Sequence, residues 1–158
     1  MKRIIQVVVV MAVMLVGFGS AALATAGQGD VQRVDVGRGT HPNGGSIRFD
    51  AGHQTVVYTA TFAPGATSGW HRHPGAVMVV VKSGTLTTYG LSHPPCVAQD
   101  IPAGQTYFEQ DASTAPWPHF VRNRGTVPTE IAVVAFNVPI GGPARVEADA
   151  PKECVNPA

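Results

Sequence analysis

The sequence predicts an all-β domain, and three observations support this class. Apolar and β-branched residues alternate or run together in segments of five to eight residues, which is strand length. Turn-forming glycine and proline separate these segments at intervals of about ten to fifteen residues. Beyond residue 26 there is no amphipathic helical pattern of convincing length. We therefore expect a β-sandwich or β-barrel in one domain, with few or no helices.

The first 26 residues have the pattern of a cleavable export signal. Met1, Lys2 and Arg3 give a positive start, 4–18 is an apolar run, and 19–26 is rich in small residues and ends in Ala-Thr-Ala. We expect cleavage after Ala26 and a periplasmic or secreted protein. The predicted folded part then consists of a domain at 27–140 and a tail at 141–158.

Five segments of the predicted mature chain have the composition of strands. Thr85–Tyr89 follows the turn-forming Ser83-Gly84 and is expected to pair back on the preceding strand as a hairpin. Three turn-rich stretches are expected to be loops, at 63–69, 92–96 and 112–118. The predicted strands are Val31–Val36, Thr55–Phe62, Val77–Val81, Thr85–Tyr89 and Ile131–Val138.

Charge and hydropathy argue against two classes of partner. Without Lys2 and Arg3 the chain keeps nine basic residues against ten acidic ones, a formal charge of −1. Because the cations are also scattered, the basic stripe that neutralises phosphates is missing, and nucleic-acid binding is not expected. No apolar run after the signal approaches the roughly 18 residues that a membrane helix needs, so no membrane association is expected after cleavage.

Cys96 and Cys154 are the two cysteines of the chain. In an oxidising compartment an even pair favours a disulfide, and no Cys-x-x-Cys motif suggests redox catalysis instead. The bridge would close a loop of 57 intervening residues, which contributes about 4 kcal/mol in the chain-entropy account. We expect it to fasten the tail to the domain.

Three of the six histidines suggest a metal site. His71 and His73 are two residues apart where a glycine-rich loop enters a strand, so strand alternation points both rings to one face. His119 lies far along the chain, where another strand is expected to begin. Three imidazoles from two strands could hold a divalent Fe, Mn, Zn, Cu or Ni ion and leave coordination positions open.

The residues around these histidines resemble the two motifs of the cupin family. Gly65, five residues, His71-Arg72-His73 and Gly84 match the first motif, and the stretch from Gly104 to His119-Phe-Val-Arg-Asn123 resembles the second. The resemblance covers roughly 56–138, and the run Trp-His-x-His-Pro-Gly before a valine-rich strand is similar to small exported bacterial cupins. It implies a single-domain cupin β-barrel, or jelly roll, with a metal inside.

Two departures from the family pattern concern the site itself. The glutamate ligand of the first motif falls on Val77, and Gln110 and Ala115 occupy the proline and histidine positions of the second, so that His119 comes four residues late. Glu109 is the acidic residue near enough in the second motif to replace the missing ligand. Alternation places Glu109 on the same face as Tyr107, but whether that face points inward or to solvent is open.

Other residues have both a structural and a functional interpretation. Four aromatic residues could line a pocket or belong to the core: Trp70, Phe108, Trp117 and Phe120. Arg72 alternates to the opposite face from its neighbouring histidines and is expected at the surface, as are His41, His53 and His93. We expect the Asn123 side chain to form hydrogen bonds with the backbone of a turn. We expect the motif glycines Gly65, Gly84 and Gly104 to be needed for the backbone conformation at these positions.

Two functions remain open. Three neutral imidazoles leave both charges of a divalent ion uncompensated, which favours an anionic or chelating substrate. The resemblance implies a metal-dependent, dioxygenase-like enzyme that acts on a small molecule. The alternative is a non-catalytic exported module that binds a small molecule or a metal, for which the loss of glutamate at Val77 is an argument. A homodimer is expected by resemblance alone.

Overall fold

The computed structural model describes residues 32–91, 96–109 and 117–154. The predicted export signal therefore lies outside the described residues, as do His93 and most of two predicted loops. The chain divides into a unit at Met1–Arg33 and a unit at Val34–Ala158. The architecture described below is that of the second unit. Within the described residues no helix is long and apolar enough to span a bilayer.

Nine strands lie in the described residues of the second unit, which confirms the all-β prediction. The single helical piece among the described residues is a three-residue 3₁₀ turn at Lys152–Cys154. The strands are β1 His53–Phe62, β2 His71–Arg72, β3 Val77–Ser83, β4 Thr85–Tyr89, β5 Gln99–Pro102, β6 Thr106–Glu109, β7 Phe120–Arg122, β8 Thr129–Pro139 and β9 Val146–Glu147. Four of the predicted strand segments correspond to β1, β3, β4 and β8.

The largest sheet has the antiparallel order β1-β8-β3-β6. The valine-rich β3 lies inside this sheet and turns Val77, Val79 and Val81 into the core, each at most 2% exposed. A second sheet has the order β5-β4-β7. Its Leu86 and Val121 belong to the same hydrophobic cluster as the β3 valines. The two sheets therefore enclose one core, as strand alternation requires for a two-layer β fold.

The predicted hairpin between β3 and β4 is wrong. β3 pairs with β6 and β8, whereas β4 pairs with β5 and β7 in the other sheet. The pairing of β3 shifts register between Val81 and Ser83, and Gly84 follows with a φ of 73°. A Cβ at Gly84 would lie 2.5 Å from Thr129 Oγ1. The Ser83-Gly84 pair therefore forms a tight corner that passes the chain between sheets, since only glycine fits there.

The predicted strand at Val31–Val36 is also wrong, because residues 32–36 form no strand. Val34 and Val36 are 85% and 52% exposed. Residues 32–36 pair with no neighbouring strand in the described part of the chain. An alternating pattern alone does not make a strand, because a strand also needs a partner to pair with. The first pairing in this region is an isolated parallel bridge between Thr40 and Gln105.

The tail is tied to the body at two places. Its strand β9 pairs with β2, and Cys96 forms the predicted disulfide with Cys154, 58 positions away. The amide of Ala148 also donates to the carbonyl of Trp70 at 3.0 Å. These contacts bring the tail alongside the histidine segment. The boundaries at 27, 140 and 141 remain predictions.

Candidate metal centre

His71 and His119 face each other across an antiparallel bridge. The amide of each donates to the carbonyl of the other at 2.9 Å, which makes them a directly paired couple. Paired residues of antiparallel strands have their side chains on the same face. The two rings therefore meet, with centroids 4.3 Å apart. A long-range backbone contact thus brings together the two cupin-like motifs.

His73 joins this pair through strand alternation. Its ring centroid lies 4.9 Å from that of His71 and 5.0 Å from that of His119. All three rings are buried, at 3–4% exposure, whereas Arg72 between them is exposed. The predicted orientations of His71, His73 and Arg72 are confirmed.

Glu109 points inward, which answers the question that the sequence left open. It ends β6 and is 4% exposed, and its alternation partner Tyr107 is 8% exposed. Glu109 pairs in register with Val77 across β3 and β6. The Glu109 carboxylate therefore enters the site from β6, whereas the family pattern places a glutamate opposite it on β3, at position 77.

The carboxylate is oriented by contacts at both oxygens. Tyr107 donates its phenol O–H to Glu109 Oε1 at 3.3 Å, while Oε2 lies 2.9 Å from His73 Nε2 and 3.4 Å from His119 Nε2. Burial and the nearby Glu109 charge hold the pKa of Tyr107 well above its ordinary value, so the phenol stays a donor. One oxygen is thus anchored and the other faces the imidazoles.

The four side chains could together hold a metal ion. One ligand atom from each of His71, His73, Glu109 and His119 lies within 4.8 Å of the other three. Among the described residues the buried Nε2 atoms of His73 and His119 have no partner with hydrogen-bond geometry, although Glu109 Oε2 lies 2.9 Å and 3.4 Å from them. Buried ring nitrogens rarely lack a partner, and three imidazoles with one carboxylate suit a divalent first-row transition metal. The residues therefore fit the predicted kind of ion.

Backbone carbonyls orient two of the rings. His71 Nδ1 lies 2.9 Å from the Gly69 carbonyl oxygen, and His73 Nδ1 lies 2.7 Å from that of Ala144. A carbonyl can only accept, so both Nδ1 atoms carry the proton and leave the Nε2 lone pairs for a metal. Gly75 lets the chain pass close to β8, because a Cβ there would lie 2.0 Å from the Phe136 oxygen.

The electrostatics of the cluster favour a neutral His71 ring and a charged Glu109 carboxylate. Burial, followed by the neighbouring His119, lowers the pKa of His71 from 6.5 to about 3. Burial alone would raise the pKa of Glu109, but the rings of His119 and His73 hold it below its ordinary value. A neutral imidazole and an ionised carboxylate are the forms that bind metals.

The metal-free protein should lose stability in acid. Between pH 6.5 and about 3 the unfolded chain protonates His71 while the folded chain does not. The stability that this ring contributes is complete above pH 6.5 and falls by up to roughly 5 kcal/mol as the pH approaches 3. Urea denaturation of chelator-treated protein from pH 7 to 4 measures this slope. His71→Gln should flatten this slope, whereas His53→Gln, at an exposed position, should leave it unchanged. Equal slopes for the wild-type protein and His71→Gln would contradict the account.

The disulfide should support metal binding through the tail, because the tail supplies the Ala144 carbonyl that orients His73. The Cys96→Ser/Cys154→Ser variant is expected to lose about 4 kcal/mol of stability. Its metal affinity should fall about 10-fold to 100-fold, as for loss of a group that orients a ligand. Competition with a chromogenic chelator measures the affinity. Unchanged metal affinity in the folded variant would show that the tail does not position the ring.

The remaining candidate residues have structural roles. Asn123 is fully buried, donates to the carbonyls of Phe62 and Val127, and accepts from the Gly125 amide. His41 and His53 are exposed, as predicted. None of the four aromatic candidates lines the cavity beside the cluster: Phe120 is core, Trp117 is 49% exposed, Trp70 packs on Phe120 and Phe108 stacks on His41.

The cavity beside the cluster has other polar residues that the sequence did not reveal. It measures about 220 Å³ and is lined by Tyr58 and Arg145, besides His71, His73 and Glu109. Tyr58 lies in β1, which the sequence predicted as an alternating strand, but no role in the site was predicted for it. Arg145 lies in the tail, and no motif connects it with the site.

The fold, the order of the two motifs and the convergence of their histidines resemble those of a cupin-type domain. No protein-family model and no curated protein matches the chain. A recombinant oxalate oxidase solved with glycolate is 26% identical over 59% of this chain and 45% of its own, with a TM-score of 0.47. The chain thus spans less than half the length of that enzyme.

Two further solved structures are similar over part of the chain. An uncharacterised double-stranded β-helix protein from Klebsiella pneumoniae is 19% identical over 75% of this chain and 90% of its own, with a TM-score of 0.48. A cupin-superfamily sugar phosphate isomerase from Silicibacter pomeroyi is 24% identical over 51% of this chain and 49% of its own, with a TM-score of 0.43.

Proposed function

We propose that the protein is an exported, metal-dependent enzyme that acts on a small molecule bound beside the four-donor cluster. The observation that carries the proposal is the position of this cluster. Three imidazoles and a carboxylate converge, all buried, and His71, His73 and Glu109 also line the adjoining cavity of about 220 Å³. A cluster that faces a cavity can bind an ion and a second molecule together.

The cavity that adjoins the cluster, and not the number of donors, supports a catalytic rather than a purely structural site. Structural metal sites are closed by protein ligands, whereas catalytic sites keep a position for water or substrate. Four protein donors leave positions free on an ion of higher coordination number. A bound divalent metal would supply Lewis acidity or, for iron, manganese or copper, redox chemistry with dioxygen. We propose an oxygenase-type reaction as the finer assignment.

The chain's own residues prepare the site for such chemistry. Glu109 would neutralise one of the two positive charges of the ion, and Tyr107 would keep the carboxylate oriented. Apolar side chains of β1, β3, β7 and β8 line the cavity and limit the access of water. Their role is to hold the substrate against the ion.

The competing assignment is a non-catalytic binding module. It was favoured by the valine at position 77, which removes the family's glutamate ligand. Glu109 supplies a carboxylate from the opposite strand, so this argument loses most of its weight. The two assignments still predict different behaviour towards substrates.

Metal loading followed by oxygen uptake separates the two assignments. The metal-free protein is loaded with iron(II), manganese(II) or copper(II), and oxygen consumption is followed with diketone, catechol and thiol substrates. His73→Gln serves as the control that lacks one donor. Turnover that depends on metal and on His73 supports the enzyme. Stoichiometric metal binding without turnover by any loaded form would favour the binding module.

Export is proposed from two features. The N-terminal 26 residues have the signal pattern, and the Cys96–Cys154 disulfide is typical of an oxidising compartment. N-terminal sequencing of the protein recovered from periplasm and medium tests it, with Gly27 expected as the first residue. The homodimer stays a prediction.

A further inference from the structure

The cavity beside the four-donor cluster combines an apolar wall with polar residues that the cluster does not use, among them Thr67 and Ser68. Tyr58 and Arg145 both line it. Its volume of about 220 Å³ lies below the roughly 300–1,000 Å³ typical of drug-sized ligand sites. The occupant is therefore small. The apolar lining comes from Ala60, Phe62, Val79, Val121, Ile131 and Val133.

Arg145 is held in place by one of its terminal nitrogens. Nη2 donates to the Ser68 carbonyl and lies 2.9 Å from both carboxylate oxygens of Glu147. Among the described residues every hydrogen bond of this guanidinium uses Nη2, so Nη1 keeps its donors for another molecule. The side chain is 37% exposed, which leaves it open to an incoming ligand. Fixing one nitrogen orients the planar fork in advance.

Tyr58 supplies a second donor on β1. Its phenol makes no hydrogen bond within the described part of the chain, although the residue lines the cavity. Its pKa is raised by burial and by the charge of Glu109, and is lowered by Arg145. The phenol thus lies within electrostatic reach of both the cluster and the arginine, and it carries its proton at neutral pH.

We propose that this cavity binds a small carboxylic acid as its anion, with the carboxylate received by Arg145 and Tyr58. The remaining polar group of the acid would face the metal centre, and its carbon atoms would contact the apolar wall. The inference rests on the proposed metal site. A divalent ion with Glu109 carries one net positive charge, so an anion is attracted. Glu147 offsets the charge of Arg145, which therefore contributes N–H donors. A hydrogen bond from the charged guanidinium to a carboxylate is stronger than one to the neutral oxygen of an amide.

Binding to the zinc-loaded protein tests the proposal without requiring turnover. Isothermal titration compares lactate, pyruvate and 3-hydroxypropionate with their neutral amides at constant pH. At least one acid is expected to bind 10-fold or more tightly than its amide. Arg145→Gln should remove most of this preference and Tyr58→Phe part of it, whereas the exposed Arg72→Gln should keep it. Zinc content is measured for every sample.

The possible results distinguish a failure of the proposed metal site from a failure of the proposed carboxylate site. If zinc fails to bind the wild-type protein, the metal site itself is refuted. If zinc binds but no acid is preferred over its amide, the carboxylate proposal alone is overturned. It is also overturned if Arg145→Gln and Arg72→Gln retain the same preference at full zinc content.

Discussion

Replacing His73 with glutamine is expected to lower the affinity for a divalent transition metal by at least about 100-fold. Loss of a group that merely orients a ligand typically costs 10-fold to 100-fold, and His73 is proposed as a ligand itself. Its Nε2 is buried and lies 2.9 Å from Glu109 Oε2, but no contact among the described residues gives it hydrogen-bond geometry. Glutamine keeps much of the volume and removes the ring nitrogen.

The measurement is zinc or cobalt titration against a competing chelator. His53→Gln is the matched control, because His53 is exposed on β1 and belongs to no cluster. Circular dichroism of the metal-free variants shows whether each has folded. Wild-type affinity in a folded His73→Gln protein would exclude this ring as a ligand.

The second large effect concerns the position of the carboxylate. Glu109→Gln is expected to weaken metal binding by at least about 100-fold, because a buried dication loses its only charged protein donor in the cluster. Val77 lies opposite Glu109 in the β3–β6 register and is 1% exposed. Paired residues share a face, so a glutamate at position 77 would enter the same site.

The exchange variant Val77→Glu/Glu109→Val should therefore bind the metal at least tenfold more tightly than Glu109→Val alone. Val77→Gln/Glu109→Val is the control, since it has a similar side chain at position 77 without the charge. Calorimetric metal titration compares the three proteins. If the exchange variant binds no better than this control, the carboxylate at 109 does not replace the family's glutamate.

The sequence predicted the histidines of the site because one short-range rule and one family resemblance sufficed. Alternation placed His71 and His73 on one face, and the resemblance placed His119 near them. Glu109 remained ambiguous, since alternation relates it to Tyr107 but does not say which face of β6 meets the core. That choice depends on pairing with β3, a long-range contact.

The errors in the fold have the same origin. The pattern around Ser83-Gly84 is compatible with both a hairpin and a corner, and the choice depends on which sheet each strand joins. Val31–Val36 has a strand-like pattern without a strand partner. Arg145 could not be predicted as part of the cavity, because β9 and the disulfide bring the tail there.

X-ray absorption spectroscopy of the zinc-loaded protein tests the central claim most directly, because it counts the nitrogen and oxygen ligands of the bound ion. The account predicts one ion per chain with three imidazole ligands near 2.0–2.1 Å and a carboxylate oxygen near 2.0–2.2 Å. His119→Gln should reduce the imidazole count to two. A wild-type ion with one imidazole or none, or no stoichiometric ion at all, would contradict it.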